Sequence, residues 1–294
     1  MATAGLTIVR GKKSPARRLL DGIGRIILNV VLTIVAVMWI VPTLGLLITS
    51  LRPISDSTTS GWWDVFTHAG GLTLDNYVNL LSNATITSSL WNSVVISIPT
   101  TILVVVIAAL AAYAFAWVDF PGRDWMLAII IMLLAVPLQT AFIPLAKFFG
   151  SIGIFGSRLA VILFHTAFGL PFAVYLLRNA FSLIPEEVIE SARIDGADES
   201  RIFRSFMLPL GMPAIASLAI FQFLWTWNDM LVALIFTDSQ SQPLTVAIQS
   251  QLRTFGANID VLSAGAFLSM VIPLVVYFVF QKYFEQGVMA GSNK

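Results

Sequence analysis

Six apolar runs of about twenty residues, each nearly free of charge, decide what this 294-residue chain can fold into. A hydrocarbon layer about 30 Å thick is crossed by ~20 helical residues rising 1.5 Å each. The runs cover approximately residues 26–51, 90–118, 125–149, 159–177, 207–237 and 261–284. In the third there is no Asp, Glu, Lys or Arg from Trp125 to Ala146. Charged residues make up 11% of the chain, against roughly 25% in a soluble domain. The predicted fold is therefore all-α: a polytopic membrane protein with six transmembrane helices in one lipid-embedded bundle, rather than the two soluble domains that length alone suggests. Lipid is an obligatory partner. The net charge of +1 offers no footprint for nucleic acid. With no cysteine there is no disulfide framework, and two histidines leave little material for a metal centre.

Basic residues set the direction of the spans. Six precede the first run (Arg10, Lys12, Lys13, Arg17, Arg18, Arg25), and seven more fall on the same side of a six-span arrangement: Arg123, Arg178, Arg193, Arg201, Arg204, Lys282 and Lys294. Four lie on the other side, Arg52, Lys147, Arg158 and Arg253. The positive-inside rule puts both termini in the cytoplasm. Residues 1–25 are then a basic cytoplasmic tail, 26–284 the transmembrane domain and 285–294 a cytoplasmic C-terminal tail. The first apolar run is too long for a signal-peptide core and reads as an uncleaved span. Prolines interrupt several runs (Pro42, Pro99, Pro137, Pro144, Pro171, Pro209, Pro213, Pro273). Broken helices mark transport paths, but proline is also simply common in membrane helices.

Two segments stand apart from the spans. The external one, 52–89, carries Trp62-Trp63, and Thr73 is placed to cap a short helix with Tyr77, Leu80 and Leu81 as its apolar face. Adjacent tryptophans suit either an interfacial anchor or a docking patch. The other, 185–206, holds nine of the 33 charged residues between Glu186 and Phe206. Pro185 suits the first turn of a helix and the following acids suit its positive end. Val188, Ile189, Ala192 and Ile194 predict an apolar stripe, and Gly196 a bend between two short amphipathic helices. Such an element either sits in a cleft of another protein or covers the membrane surface.

The loop also has a specific resemblance. Glu190-Ser191-Ala192, then Gly196, then Leu208-Pro209 resembles the EAA loop of ABC-importer membrane subunits, with Ser191 in place of the central Ala. Further stretches resemble the carbohydrate-uptake branch, in particular the counterpart of the G subunit of the maltose transporter. These are Asn92-Ser93-Val94, the run Ala112 to Ala116, Trp227-Asn228-Asp229, Pro243 to Val246 and the tail from Gln281 to Gly291. Trp117 departs from a family pattern that often has Arg there. The runs His165 to Pro171 and Phe221 to Asp229 are most similar to α-glucoside permeases.

The resemblance implies a non-catalytic permease subunit of an ATP-driven sugar importer in a prokaryotic inner membrane, with a coupling-helix loop between spans four and five. Its implied partners are a homologous second permease, two ATP-binding subunits and an extracytoplasmic sugar-binding protein. ATP and Mg are then used by the partner ATPases, with no cofactor held here. Indeed Gly11-Lys12-Lys13-Ser14 is no P-loop, because Leu6 stands where a glycine is required. The implied ATPase-coupling residues are Glu190, Ala192, Arg193, Asp195, Gly196 and Ala197. Candidates for the substrate path are Trp225, Trp227, Asn228 and Asp229, since aromatics stack on sugar faces and Asn or Asp bind hydroxyls. The same four read equally as a packing and capping cluster. His165 reads as a neutral histidine bonded to a neighbouring helix, or as a proton relay. An ion-coupled secondary carrier is the alternative function, although the repeated midplane charges it requires are absent from the sequence.

Overall fold

The computed structural model describes residues 15–67, 71–255 and 259–292. The first fourteen residues of the basic tail and the last two of the C-terminal tail lie outside it. Thirteen α-helices are defined among the described residues: α1 Pro15–Ser50, α2 Ile54–Thr59, α3 Asp75–Ser82, α4 Ala84–Trp117, α5 Arg123–Leu133, α6 Phe142–Ser151, α7 Arg158–Phe181, α8 Glu186–Ile194, α9 Glu199–Ile202, α10 Leu208–Asn228, α11 Leu231–Phe236, α12 Leu244–Phe255 and α13 Ile259–Ser292. Five helical stretches among the described residues are long and apolar enough to span a bilayer, and a bent pair makes a sixth when it is counted as one span.

Span limits follow local chemistry. The Asn83 side chain accepts from the N–H groups of Thr85 (2.9 Å) and Ile86 (3.4 Å), so α4 starts at Ala84, earlier than hydropathy alone indicates. Ser157 caps α7 in the same way. Helix α1 begins at Pro15, inside the stretch read as tail. The C-terminal stretch 285–292 likewise continues α13 rather than leaving the helix.

Two of the expected straight spans are broken. The third is not one helix from 125 to 149: α5 and the helical segment 138–151 meet at 96°. Pro137 lacks an N–H and disfavours helical geometry at Val136, and Pro137 itself is extended (φ −63°, ψ 127°). The fifth does not run to Thr237. It extends without interruption from Glu199 to Asn228, and Asp229 then leaves helical geometry (ψ 135°) before α11.

Helices α4 and α7 pack along each other at the centre, α10 lies against both, and α13 joins α10 to α1. Around the loop 185–206 the core is Ala108, Ala112, Tyr113 and Phe115 of α4, Leu177 and Phe181 of α7, and Ile189, Ala192, Ile202 and Met207. A second core at the other end joins Ile96, Phe149, Val161, Phe164, Val232 and Phe236. The apolar residues of α1 from Ile23 to Val41 are exposed, as a lipid-facing or subunit-facing helix requires.

The segment after α1 is folded. The Arg52 guanidinium, on a residue only 5% exposed, donates to the carbonyls of Asp56, Ser60 and Gly61 (3.1, 3.2 and 2.7 Å). Asn76 Nδ2 donates to the carbonyls of Ser50 and Arg52. Thr73 Oγ1 does accept from Asp75 N at 3.0 Å at the start of α3. The buried face of α3 is Asn76 and Leu80, whereas Leu81 is exposed. Of the tryptophan pair, Trp62 packs on Gly45 so closely that a Cβ there would lie 2.9 Å from its indole nitrogen. Trp63 is exposed.

Candidate functional site

The loop 185–206 presents an amphipathic surface at one end of the bundle. Helix α8 carries Glu186 and Glu187 in its first turn and Arg193 in its last, in the sense that its dipole favours. Ile189 and Ala192 are buried at 0% and 4% exposure. Glu187, Glu190, Ser191 and Ile194, at helical spacing on the opposite side, are exposed. Ile194 is 85% exposed. The expected apolar stripe therefore ends at Ala192, and Ile194 instead projects beside Glu190 one turn away. An apolar side chain in a charged segment gives no sign of its direction until the helix register is known.

Helix α8 ends in a turn. Ala197 N donates to Ala192 O at 3.0 Å, and Gly196 takes a left-handed conformation (φ +79°). Asp195 is exposed at this turn and Ala197 is half-buried against the core. Asp198 then accepts from Arg201 N at 2.7 Å and opens α9. The expected second short helix is not separate, because α9 runs through a wide turn over 203–207 straight into α10.

Arg193 folds back onto its own chain. Its Nε donates to Glu199 Oε1 at 3.0 Å and its Nη2 to the carbonyl of Trp117 at 2.9 Å. The Glu199 carboxylate raises the Arg193 pKa above the usual guanidinium value. Tyr113 Oη donates to the other oxygen, Glu199 Oε2. Trp117 Nε1 donates to Phe181 O at 3.2 Å, so the indole that departs from the family pattern ties α4 to the end of α7.

At the other end, the four candidate path residues separate. Trp227 is 2% exposed; it stacks on Phe223 and donates to Ser269 O at 3.0 Å, joining α10 to α13. Asp229 Oδ2 accepts from Val232 N (3.1 Å) and Ala233 N (3.2 Å) in the first turn of α11. It lies 3.4 Å from His165 Nε2 of α7. Trp225 is half-buried, edge-on to His165 and Phe221. Asn228 is exposed, its Nδ2 donating to Leu224 O. It lines an open groove of about 400 Å³ between α10 and α13, with Leu224, Ser269, Met270, Pro273 and Tyr277.

Beneath Asp229 is a closed void of about 10 Å³, lined by Ser93, Ser97, His165 and Thr226 among others. That is about the space of one water molecule. No three His, Asp or Glu side chains come together as a metal would need among the described residues.

The described residues thus form a helical bundle with candidate membrane spans and a charged loop at one end. Residues 104–290 match the family described as the inner membrane component of binding-protein-dependent transport systems, and the chain belongs to that family. It is 43% identical over 272 residues to the osmoprotective compounds uptake permease protein GgtD of Synechocystis, covering 91% of each chain. It is 46% identical over 229 residues to the alpha-glucoside transport system permease protein AglG of Rhizobium meliloti, covering 76% of this chain and 60% of that one. Its fold superposes, at 22% identity and a TM-score of 0.77, on a chain of a bacterial ABC transporter that imports alginate, covering 93% of this chain and 99% of that one. The chain is thus an ABC-importer permease, and the ion-coupled carrier has no support beside it.

Proposed function

We propose that this chain forms half of the translocation pathway of an importer for oligosaccharides or α-glucosides. A homologous permease supplies the other half, two ATP-binding subunits drive it and an external sugar-binding protein loads it. The observation that carries this reading is the exposed face of α8, where Glu190 and Ile194 stand side by side on a helix whose other face is fixed in the core. Glu190 pairs with a basic residue of an ATP-binding subunit and Ile194 fills an apolar pocket beside it. Asp195 and Gly196 shape the end of this docking helix, and Ala192 and Ala197 seat it. The relative named for α-glucosides supports a sugar-type substrate.

ATP and Mg act on the partner subunits, and this chain has no catalytic role. When the ATP-binding pair closes, the docking helices move with it and the spans open outward. On hydrolysis they return and release sugar inward. The open groove at Asn228 is a place where a sugar hydroxyl can reach a polar side chain. Trp227 and Asp229 are occupied with packing and capping.

The test is uptake of a labelled α-glucoside by proteoliposomes holding the complete importer. Uptake is expected only with ATP, the binding protein and this chain together. Uptake by this chain alone under an ion gradient would overturn the reading.

A further inference from the structure

A docking helix transmits motion only as well as it is fastened to the spans. The nine-residue α8 is too short to be a stable helix by itself. Its apolar fastening, Ile189 and Ala192 against the core, holds the helix in place but is non-directional. Its polar fastening is directional. Glu199 gives one carboxylate oxygen to Arg193 of α8 and the other to Tyr113 of α4. The same Arg193 holds the last carbonyl of α4, at Trp117, whose indole holds Phe181 of α7. Glu199 itself opens the helix that continues as span five. One connected set of hydrogen bonds therefore joins the docking helix to spans two, four and five.

We propose that Glu199, with Arg193 and Tyr113, is a positioning cluster that locks the docking helix to these three spans and so converts its displacement into rotation of the pathway. The Arg193 charge acts within the chain, between a carboxylate and a carbonyl of its own fold, rather than on a partner. Tyr113 and Glu199 are bonded to groups of this chain. Their work is to keep the loop and the helix ends moving as one body. This rests on the docking role of α8 and adds to it the route by which motion leaves the loop.

The experiment uses the complete importer in proteoliposomes, with Glu199→Gln and Tyr113→Phe made separately. Each variant is expected to assemble with the ATP-binding subunits and to keep ATP hydrolysis within about twofold. The sugar moved per ATP hydrolysed is expected to fall about tenfold, within the range of coupling between distant sites. Exchanging the charges, Arg193→Glu with Glu199→Arg, is expected to restore part of that ratio. An unchanged ratio in both variants would overturn the proposal. So would loss of assembly and of hydrolysis in proportion to uptake, because the cluster would then only hold the fold. Failure of the docking role itself is read elsewhere, as normal assembly and turnover in Glu190→Lys, a residue outside the cluster.

Discussion

His165 and Asp229 meet at 3.4 Å across two spans, at the point where the fifth span stops being a helix. Asp229 holds the first turn of α11 with the same oxygen that faces the imidazole. The pair thus closes the break in span five against span four.

Replacing Asp229 with alanine removes the cap of α11 and the carboxylate 3.4 Å from His165 Nε2. The cap is worth about 0.5–2 kcal/mol. Thermal unfolding of the purified complex should begin several degrees lower, with Asp229→Asn falling between the two. Sugar titrated against Asp229→Ala should bind with unchanged affinity. A large loss of affinity would return Asp229 to the sugar path.

Ile194 is the exposed apolar partner of Glu190. A buried interface anchor costs about 2 kcal/mol or more when lost, roughly a thirtyfold weaker complex. Ile194→Asp should weaken capture of the ATP-binding subunits by at least that factor in a pull-down titration, while the permease alone keeps its melting temperature. Equal capture would remove Ile194 from the interface.

Gly196 sits at φ +79°, with nothing within 4 Å of where a Cβ would be. Substitution there strains the backbone alone, by about 1–2 kcal/mol. Gly196→Val should lower uptake more than Gly196→Ala, with both variants present in the membrane at normal levels by immunoblot. Full uptake by the valine variant would show that the turn after α8 tolerates another shape.

Span number, the amphipathic loop and its glycine bend were legible from hydropathy, charge clustering and helix-end chemistry, all of which act over a few residues. The 96° break at Pro137 was not, because a proline in a membrane helix can kink, break or simply fit, and neighbouring helices decide which. The exposure of Ile194 depended on helix register, which one isoleucine among charges does not reveal. The bond from Tyr113 to Glu199 joins residues 86 positions apart, and no local pattern announces it. Asp229 was visible as a singular charge, but its partner on span four was set by packing.

The turn before α12 carries its own pH dependence. Asp238 accepts from the Ser241 hydroxyl and from the N–H groups of Ser241 and Gln240, which holds its carboxyl below the usual carboxylate range. A carboxyl depressed by folding contributes stability above its unfolded pKa and loses it as pH falls through the folded one. The melting-temperature gap between the native chain and Asp238→Asn should therefore be largest at neutral pH and close in acid. A gap that widens in acid would contradict this.

The chain has no cysteine, so a single introduced thiol reports on one position. The most direct test of docking is the labelling rate of Ile194→Cys by a membrane-impermeant thiol reagent, with and without the ATP-binding subunits, using Trp63→Cys at the opposite end as the control. The account predicts at least a tenfold slower reaction at position 194 in the assembled importer and no change at position 63. Equal labelling of Ile194→Cys in the free permease and the complete complex would contradict it.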